Sequence, residues 1–263
     1  EMGERPAFLT RGHGRSNLTA PPFLVDHKYH NAHQVGDEAL LLAQEAMTIV
    51  GVDRFSAAQV ALSAGASVLI MDDGFQSKAL AADLNLLALD PTYGVGNGFC
   101  LPAGPLRAPL ASQLDRADIC IIINPDQHKR AQSFLSKSNI FHAFVDVAQH
   151  DSMRFKGRSV IAFAGLARPE KFFSTLRRIG ANCIAELAFS DHHFYSEREL
   201  VALRNLAERH KALLVTTEKD AARIEKCIID YDFLPINLIL ENKKDFVNIL
   251  ITSLERARLI RSS

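Results

Sequence analysis

Three short, nearly continuous apolar runs constrain this chain most: Ser67-Val-Leu-Ile-Met71, Asn85-Leu-Leu-Ala-Leu89 and Ala117-Asp-Ile-Cys-Ile-Ile-Ile123. Each stops at polar residues, at Asp72-Asp73-Gly74, Asp90 and Asn124-Pro125. None alternates apolar with polar residues, so each reads as a strand buried on both faces of a parallel sheet. Helical patterns occupy residues 37–46, with an acidic start, and residues 54–64, where Phe55, Ala58 and Leu62 fall on one side. Strands alternating with helices spell an α/β fold, and such sheets bind ligands beyond the carboxyl ends of their strands.

The second half repeats that logic. Residues 141–147 alternate as a half-exposed ribbon, and Lys156-Gly157-Arg158 opens a new unit. A strand over 159–164, a helix over 170–179 closed by Gly180, and a strand over 212–216 running into Thr217-Glu-Lys-Asp220 follow. The domain boundary is therefore expected near residue 150, with domains 1–150 and 151–263. Residues 15–36 read as a long polar loop, of the kind that carries function or moves. Residues 245–261 form an amphipathic helix whose late basic residues suit the helix dipole.

Composition narrows the function. The 48% apolar content is enough for a core, and 30 Lys plus Arg against 30 Asp plus Glu leaves no basic excess for a dedicated nucleic-acid binder. Cys100, Cys120, Cys183 and Cys227 never form C-x-x-C and read as reduced thiols rather than disulfides or a zinc site. No apolar run approaches the length of a membrane span, and residues 1–6 lack the apolar stretch of a signal peptide.

Four clusters carry chemistry, each with a plainer alternative. Adjacent carboxylates Asp72 and Asp73 at a strand end suit magnesium, which takes one or two carboxylates plus phosphate oxygens; they equally suit a turn and a helix cap. Val35-Gly-Asp-Glu38 is a loop-to-helix step where acids cap. Asp191-His192-His193 offers an acid/base pair or an exposed cap. The stretch from Gly94-Val-Gly-Asn-Gly98 through Leu101-Pro-Ala-Gly-Pro-Leu-Arg107 is a glycine-dense loop ending in a cation, able to meet a phosphate or merely to turn.

Taken in order, Arg11-Gly12, Gly36-Asp-Glu38, Asp72-Asp-Gly-Phe-Gln76, Gly96-Asn-Gly98, Leu101-Pro-Ala-Gly-Pro105, Asp191-His192 and Thr217-Glu-Lys-Asp220 resemble the signature of the tetraacyldisaccharide 4′-kinase family. The likeness runs from about Pro6 to about Ile239. It implies a P-loop-type, mostly parallel sheet with helices on both faces, joined by a ribbon to a smaller C-terminal α/β domain. It implies transfer of the γ-phosphoryl of ATP, with Mg2+, to the 4′-hydroxyl of a tetraacyldisaccharide 1-phosphate, the lipid A disaccharide precursor. On the same resemblance Asp37 is the catalytic base and His192 its partner. Glu38, Asp72 and Asp73 lie on the magnesium side, and Arg11, Gln76 and Arg107 meet the substrate. The implied setting is peripheral, at the cytoplasmic face of the bacterial inner membrane, without nucleic acid or a protein partner.

Departures accompany the match. His13, Ser77 and Ala108 stand where the family commonly has tyrosine, histidine and an acid. The phosphate loop G-x-x-x-x-G-K-[ST] does not occur in the 263 residues. In the family that loop and a membrane-anchoring helix lie upstream of the Arg-Gly strand, so the expectation is an N-terminally truncated kinase. Residues 1–263 alone are then expected neither to hydrolyse ATP nor to phosphorylate the disaccharide, and an N-terminally extended form to do both. A non-catalytic lipid-headgroup-binding paralogue is the alternative. A different P-loop enzyme is a third reading, disfavoured by the Leu-Pro-Ala-Gly-Pro and Thr-Glu-Lys-Asp segments.

Overall fold

The computed structural model describes residues 3–90, 95–124, 139–224 and 228–262. Gly94, Pro125 and Cys227 of the motifs above lie outside them. Along the chain run β1 (Pro6–Thr10), β2 (Phe23–Leu24), α1 (Ala32–Val35), α2 (Asp37–Glu45), β3 (Met47–Val50), α3 (Arg54–Ser63), β4 (Val68–Met71) and β5 (Leu86–Leu89). Next come α4 (Leu110–Arg116), β6 (Ile119–Ile123), β7 (Asn139–Asp146), α5 (Gln149–Phe155), β8 (Ser159–Ala164), α6 (Glu170–Arg178) and β9 (Asn182–Ala188). The last are α7 (Glu197–His210), β10 (Leu213–Thr217), α8 (Glu218–Ala221), β11 (Asp232–Leu234), β12 (Asn237–Leu240) and α9 (Lys243–Ser262). Most expected elements fall within two residues of these bounds; α7 carries a complete capping box, Ser196 with Glu199, at its start.

The strands form three four-stranded sheets, ordered β2-β3-β1-β4, β11-β10-β8-β9 and β12-β7-β6-β5. All neighbours run parallel except β2 against β3 and β12 against β7. The expected α/β class is what the chain adopts. Two compact units contain these sheets. One comprises Glu4–Asp72 with Val147–Ile236 and holds the first two sheets; the other includes Asp73–Asp146 with Asn237–Ser263 and holds the third.

This division corrects the boundary expected at residue 150. The chain does change units after Asp146, but residues 4–72 group with 147–236 rather than with 73–146. Spatial grouping follows strand neighbours, and a chain that leaves a unit and returns to it leaves no sign of that in linear composition.

Two apolar clusters cover the faces of the β8 sheet. Phe155, Val160, Ala162, Phe173, Leu176 and Val215 lie in one, and Ile161, Phe163, Leu200, Leu203 and Leu214 in the other. β8 is thus the strand buried on both faces that a continuous apolar run predicts. β6 behaves likewise, with Ile119, Cys120 and Ile122 buried. β4 and β5 do not: each is an edge strand among the described residues, with Ile70 and Leu86 exposed. The α3 stripe also differs from expectation. Phe55 and Leu62 are 56% and 57% exposed, and the face turned inward carries Arg54, Ala57, Ala58 and Ala61. Small residues let α3 lie close to β1 and β3, and Arg54 is buried because Leu9 and Asp72 present carbonyls to it. Among the described residues, no helix is long and apolar enough to cross a membrane.

Candidate active site

The unit built from residues 4–72 and 147–236 gathers the candidate acid/base groups at one place. β1 ends at Thr10, and the turn Arg11-Gly-His-Gly-Arg15 follows it. α1 is held by the Asn31–Gln34 capping box, and Gly36 then joins it to α2 with φ +89° and ψ 149°. That conformation is essentially reserved for glycine. A Cβ on Gly36 would stand 2.6 Å from the His13 carbonyl oxygen, and one on Gly12 would stand 2.5 Å from the Val35 carbonyl oxygen. The two glycines let the turn after β1 and the start of α2 touch, which sets Asp37 at the first position of α2.

Gly36→Ala is expected to destabilise the protein by about 1–3 kcal/mol for the backbone conformation and by a similar amount for the overlap. Urea unfolding measures this. A Gly36→Ala variant within about 0.5 kcal/mol of the parent would show that the joint is not strained.

Asp37 is buried, 3% exposed. Its Oδ1 accepts the Glu38 amide at 2.9 Å. Its Oδ2 accepts from Arg223 Nε at 2.9 Å and lies 2.7 Å from Nη2 of the same guanidinium. The same oxygen is 3.2 Å from His192 Nδ1. Burial alone would raise this carboxyl. The Arg223 charge, the His192 ring and the hydrogen bonds from Arg223 and Glu38 outweigh it, and hold Asp37 below its ordinary value.

Arg223 in turn is enclosed. Its Nη1 donates to the carbonyls of Gly165 and His193 and to Asp220 Oδ1. Asp220 also accepts from the Gly165 amide, the Tyr195 hydroxyl and Thr217 Oγ1. The side chains of Arg223, Asp37 and Asp220 are 1%, 3% and 0% exposed, so two carboxylates flank one guanidinium away from water. Tyr195 is kept protonated by burial and by Asp220, which leaves it a donor. The Thr-Glu-Lys-Asp segment thereby acquires a structural meaning: Asp220 seats Arg223, and Lys219 Nζ donates to Glu38 Oε1 at 2.6 Å.

His192 follows β9 in a tight turn. Its amide donates to the Gly165 carbonyl, and its backbone takes φ +54°, a left-handed conformation uncommon for a residue with a Cβ. Its ring stands 4.9 Å from that of His13. With Nδ1 on a carboxylate, the proton sits there and the lone pair falls on Nε2 (tautomer assigned from the partner). His192 is partly exposed where Asp37 is buried.

The remaining expected residues are divided between the two units. Asp72 Oδ2 accepts from Thr10 Oγ1 at 2.9 Å at the carboxyl end of β4. Asp73 and Arg107, which belong to the same unit as each other, form an ion pair, so that Arg107 faces a protein carboxylate. Glu38 faces Lys219. Among the described residues no group of three or more His, Cys, Asp or Glu is arranged to hold a metal ion. Of the three magnesium-side acids, Glu38 and Asp73 each pair with a cation of the chain, and Asp72 with a neutral hydroxyl. Gln76 donates to Gln113, and Arg11 is exposed beside the dyad's turn. In the glycine-dense loop, Gly96 and Gly98 take positive φ, and Asn97 donates to the Ala103 carbonyl, which folds the loop on itself.

Arg223 is the residue that sequence reasoning missed. Its one signal was spacing: an arginine three residues after Asp220 in an otherwise apolar stretch, Ala221-Ala-Arg-Ile224.

Comparison with known proteins supplies the context. The family model described as tetraacyldisaccharide-1-P 4′-kinase matches residues 1–255. A tetraacyldisaccharide 4′-kinase of Rhodopseudomonas palustris is 40% identical over 265 residues, covering 98% of this chain and 78% of its own length. One from Methylorubrum extorquens is 45% identical over 228 residues, 85% of this chain and 68% of its own. The fold matches a crystal structure of the "apo" form of LpxK from Aquifex aeolicus in complex with ATP, with TM-score 0.76, 24% identity, and coverage of 95% of this chain and 79% of that one.

Proposed function

Because the chain belongs to the tetraacyldisaccharide-1-P 4′-kinase family, we propose that it is a kinase that phosphorylates the 4′-hydroxyl of a tetraacyldisaccharide 1-phosphate from ATP in lipid A biosynthesis, with the Asp37–His192 pair as its acid/base centre. The observation that carries the chemistry is the 3.2 Å contact between His192 Nδ1 and Asp37 Oδ2, made across 155 residues of sequence.

The geometry favours a division of labour different from the one implied by the resemblance. Asp37 has its Oδ2 on a guanidinium and an imidazole, and its carboxyl is held low. A carboxylate stabilised in this way accepts a proton reluctantly. His192 offers Nε2, with Asp37 fixing the ring and stabilising the imidazolium that forms. In this reading His192 takes the proton of the attacking hydroxyl, Asp37 orients His192, and Arg223 holds Asp37 ionised. Phosphoryl transfer demands little covalent work from a protein beyond such positioning and charge neutralisation.

Asp72 fits a magnesium ion. It is a carboxylate at a strand end whose partner is a neutral hydroxyl, and magnesium needs only one or two such ligands besides phosphate oxygens. When bound there, the ion would neutralise charge on the nucleotide phosphates. Action on a lipid acceptor at the cytoplasmic face of the inner membrane belongs to the same proposal.

The test is product analysis with γ-labelled ATP and the tetraacyldisaccharide 1-phosphate in mixed micelles, on the protein extended at its N-terminus by a phosphate-binding loop. Label is expected on the 4′-oxygen. Acceptor binding with no transfer would favour the non-catalytic paralogue instead.

A further inference from the structure

The turn that brings His13 to His192 also carries a cation that the acid/base pair does not use. Arg15 is 5% exposed, and its Nε, Nη1 and Nη2 are all buried without a hydrogen-bond partner among the described residues. The buried guanidiniums of Arg54 and Arg223 behave otherwise. Arg54 donates to the carbonyls of Leu9 and Asp72, and Arg223 is seated between two carboxylates. Burial pushes the Arg15 guanidinium below its ordinary value, yet arginine does not deprotonate at neutral pH, so the charge stays. A charge removed from water without a partner is strongly unfavourable.

The backbone makes room for this side chain. A Cβ on Gly12 would stand 2.9 Å from Arg15 Cδ and 2.4 Å from Val50 Cγ2, so only a bare glycine lets the arginine stem lie there. On the outer side Gly14, at φ +79°, has no atom within 4 Å of where its Cβ would be, which leaves open space beside the turn. The location is the carboxyl end of β1, where α/β sheets bind ligands, two residues from the ring that touches His192.

We propose that Arg15 is the anchor of an anion site for a phosphate monoester. Its planar fork of N–H donors matches two oxygens of a phosphate at once. Entry requires a small movement of the glycine turn, after which the anion supplies the partners that the protein withholds. The kinase reading names two sources of such a phosphate, the acceptor's own 1-phosphate and the terminal phosphate of the nucleotide. The site itself stands on the unpartnered guanidinium and does not depend on that reading.

The experiment compares residues 1–263 as wild type, Arg15→Met and Arg15→Lys by calorimetry and thermal melts, first in anion-free buffer and then with inorganic phosphate. Wild type is expected to bind phosphate and gain melting temperature. Arg15→Met should bind at least tenfold more weakly and gain nothing, with Arg15→Lys between them. In anion-free buffer Arg15→Met is expected to melt no lower than wild type, since it removes an unpaired buried charge. Glucosamine 1-phosphate and ATP are then titrated in separate arms: Arg15-dependent binding of the first assigns the site to the acceptor, and of the second to the nucleotide. Equal phosphate binding by wild type and Arg15→Met would overturn the proposal, as would no phosphate binding at all. A marked loss of stability of Arg15→Met without anion would also overturn it, by revealing an internal partner. None of these results touches the test of phosphoryl transfer, which is read on the 4′-oxygen.

Discussion

His192→Ala is expected to lower kcat for 4′-phosphorylation by about 10²–10⁴-fold, the usual worth of a positioned general base, with the KM for ATP little changed. His192 lies in the loop after β9, and the groups that hold it, Asp37 and the Gly165 carbonyl, remain in place without the imidazole. The loss should therefore be one of proton transfer rather than of fold. Asp37→Asn is expected to cost a similar factor, about 10²–10⁴, because an amide neither fixes the ring tautomer nor stabilises the imidazolium. If the two act as one unit, the double variant loses hardly more than either single one. Steady-state kinetics on the N-terminally extended form checks all three. Independent, multiplying losses would contradict a shared role. So would a His192→Ala enzyme at the wild-type rate.

Arg223→Met is expected to produce the largest loss of stability. It leaves Asp37 and Asp220 buried, 3% and 0% exposed, without the cation between them. Removing one partner from a buried ion pair costs about 3–5 kcal/mol, which for a chain of this size lowers the melting temperature by roughly 10 °C. The pH dependence carries a sign. Asp37 is lower in the folded protein than in the unfolded chain, so its contribution is complete above about pH 4, the unfolded value, and drains away as pH falls through the folded value. In Arg223→Met that carboxyl loses its main stabilising charge and rises. The gap between variant and parent should thus be widest near neutrality and shrink in acid. Thermal melts between pH 7 and pH 4 test this, and a gap that stays constant or widens in acid would contradict the buried triad.

How much of this was legible in the sequence depends on the scale of the feature. Helix α6 was readable to within one residue because Gly180 closes it locally. β6 and β8 were readable because continuous apolar runs are what two-sided burial requires. The same rule misjudged β4 and β5, since an edge position depends on which strand arrives alongside, not on the strand's own residues. The helical spacing of Phe55, Ala58 and Leu62 likewise misplaced the inner face of α3, where alanines proved to be the packing face and Phe55 turned outward.

The candidate site shows the same limit. The acids at 37, 38, 72 and 73 were all visible, but their partners were not. Glu38 meets Lys219 across 181 residues and Asp37 meets Arg223 across 186, contacts that no periodicity encodes. That is why the residue that fixes Asp37 went unnoticed. The pairing of Asp37 with His192 was reached through resemblance to a family rather than through the physics of either segment.

The most direct measurement is a rapid-quench single turnover of γ-labelled ATP with the tetraacyldisaccharide 1-phosphate across pH, for the extended wild type and for His192→Ala. Label is expected on the 4′-oxygen, with a wild-type rate that climbs with unit slope as one group loses its proton. In His192→Ala the rate falls by about 10²–10⁴ and that slope disappears. Label at the 4′-oxygen with the same pH slope in both proteins would remove His192 from the proton transfer.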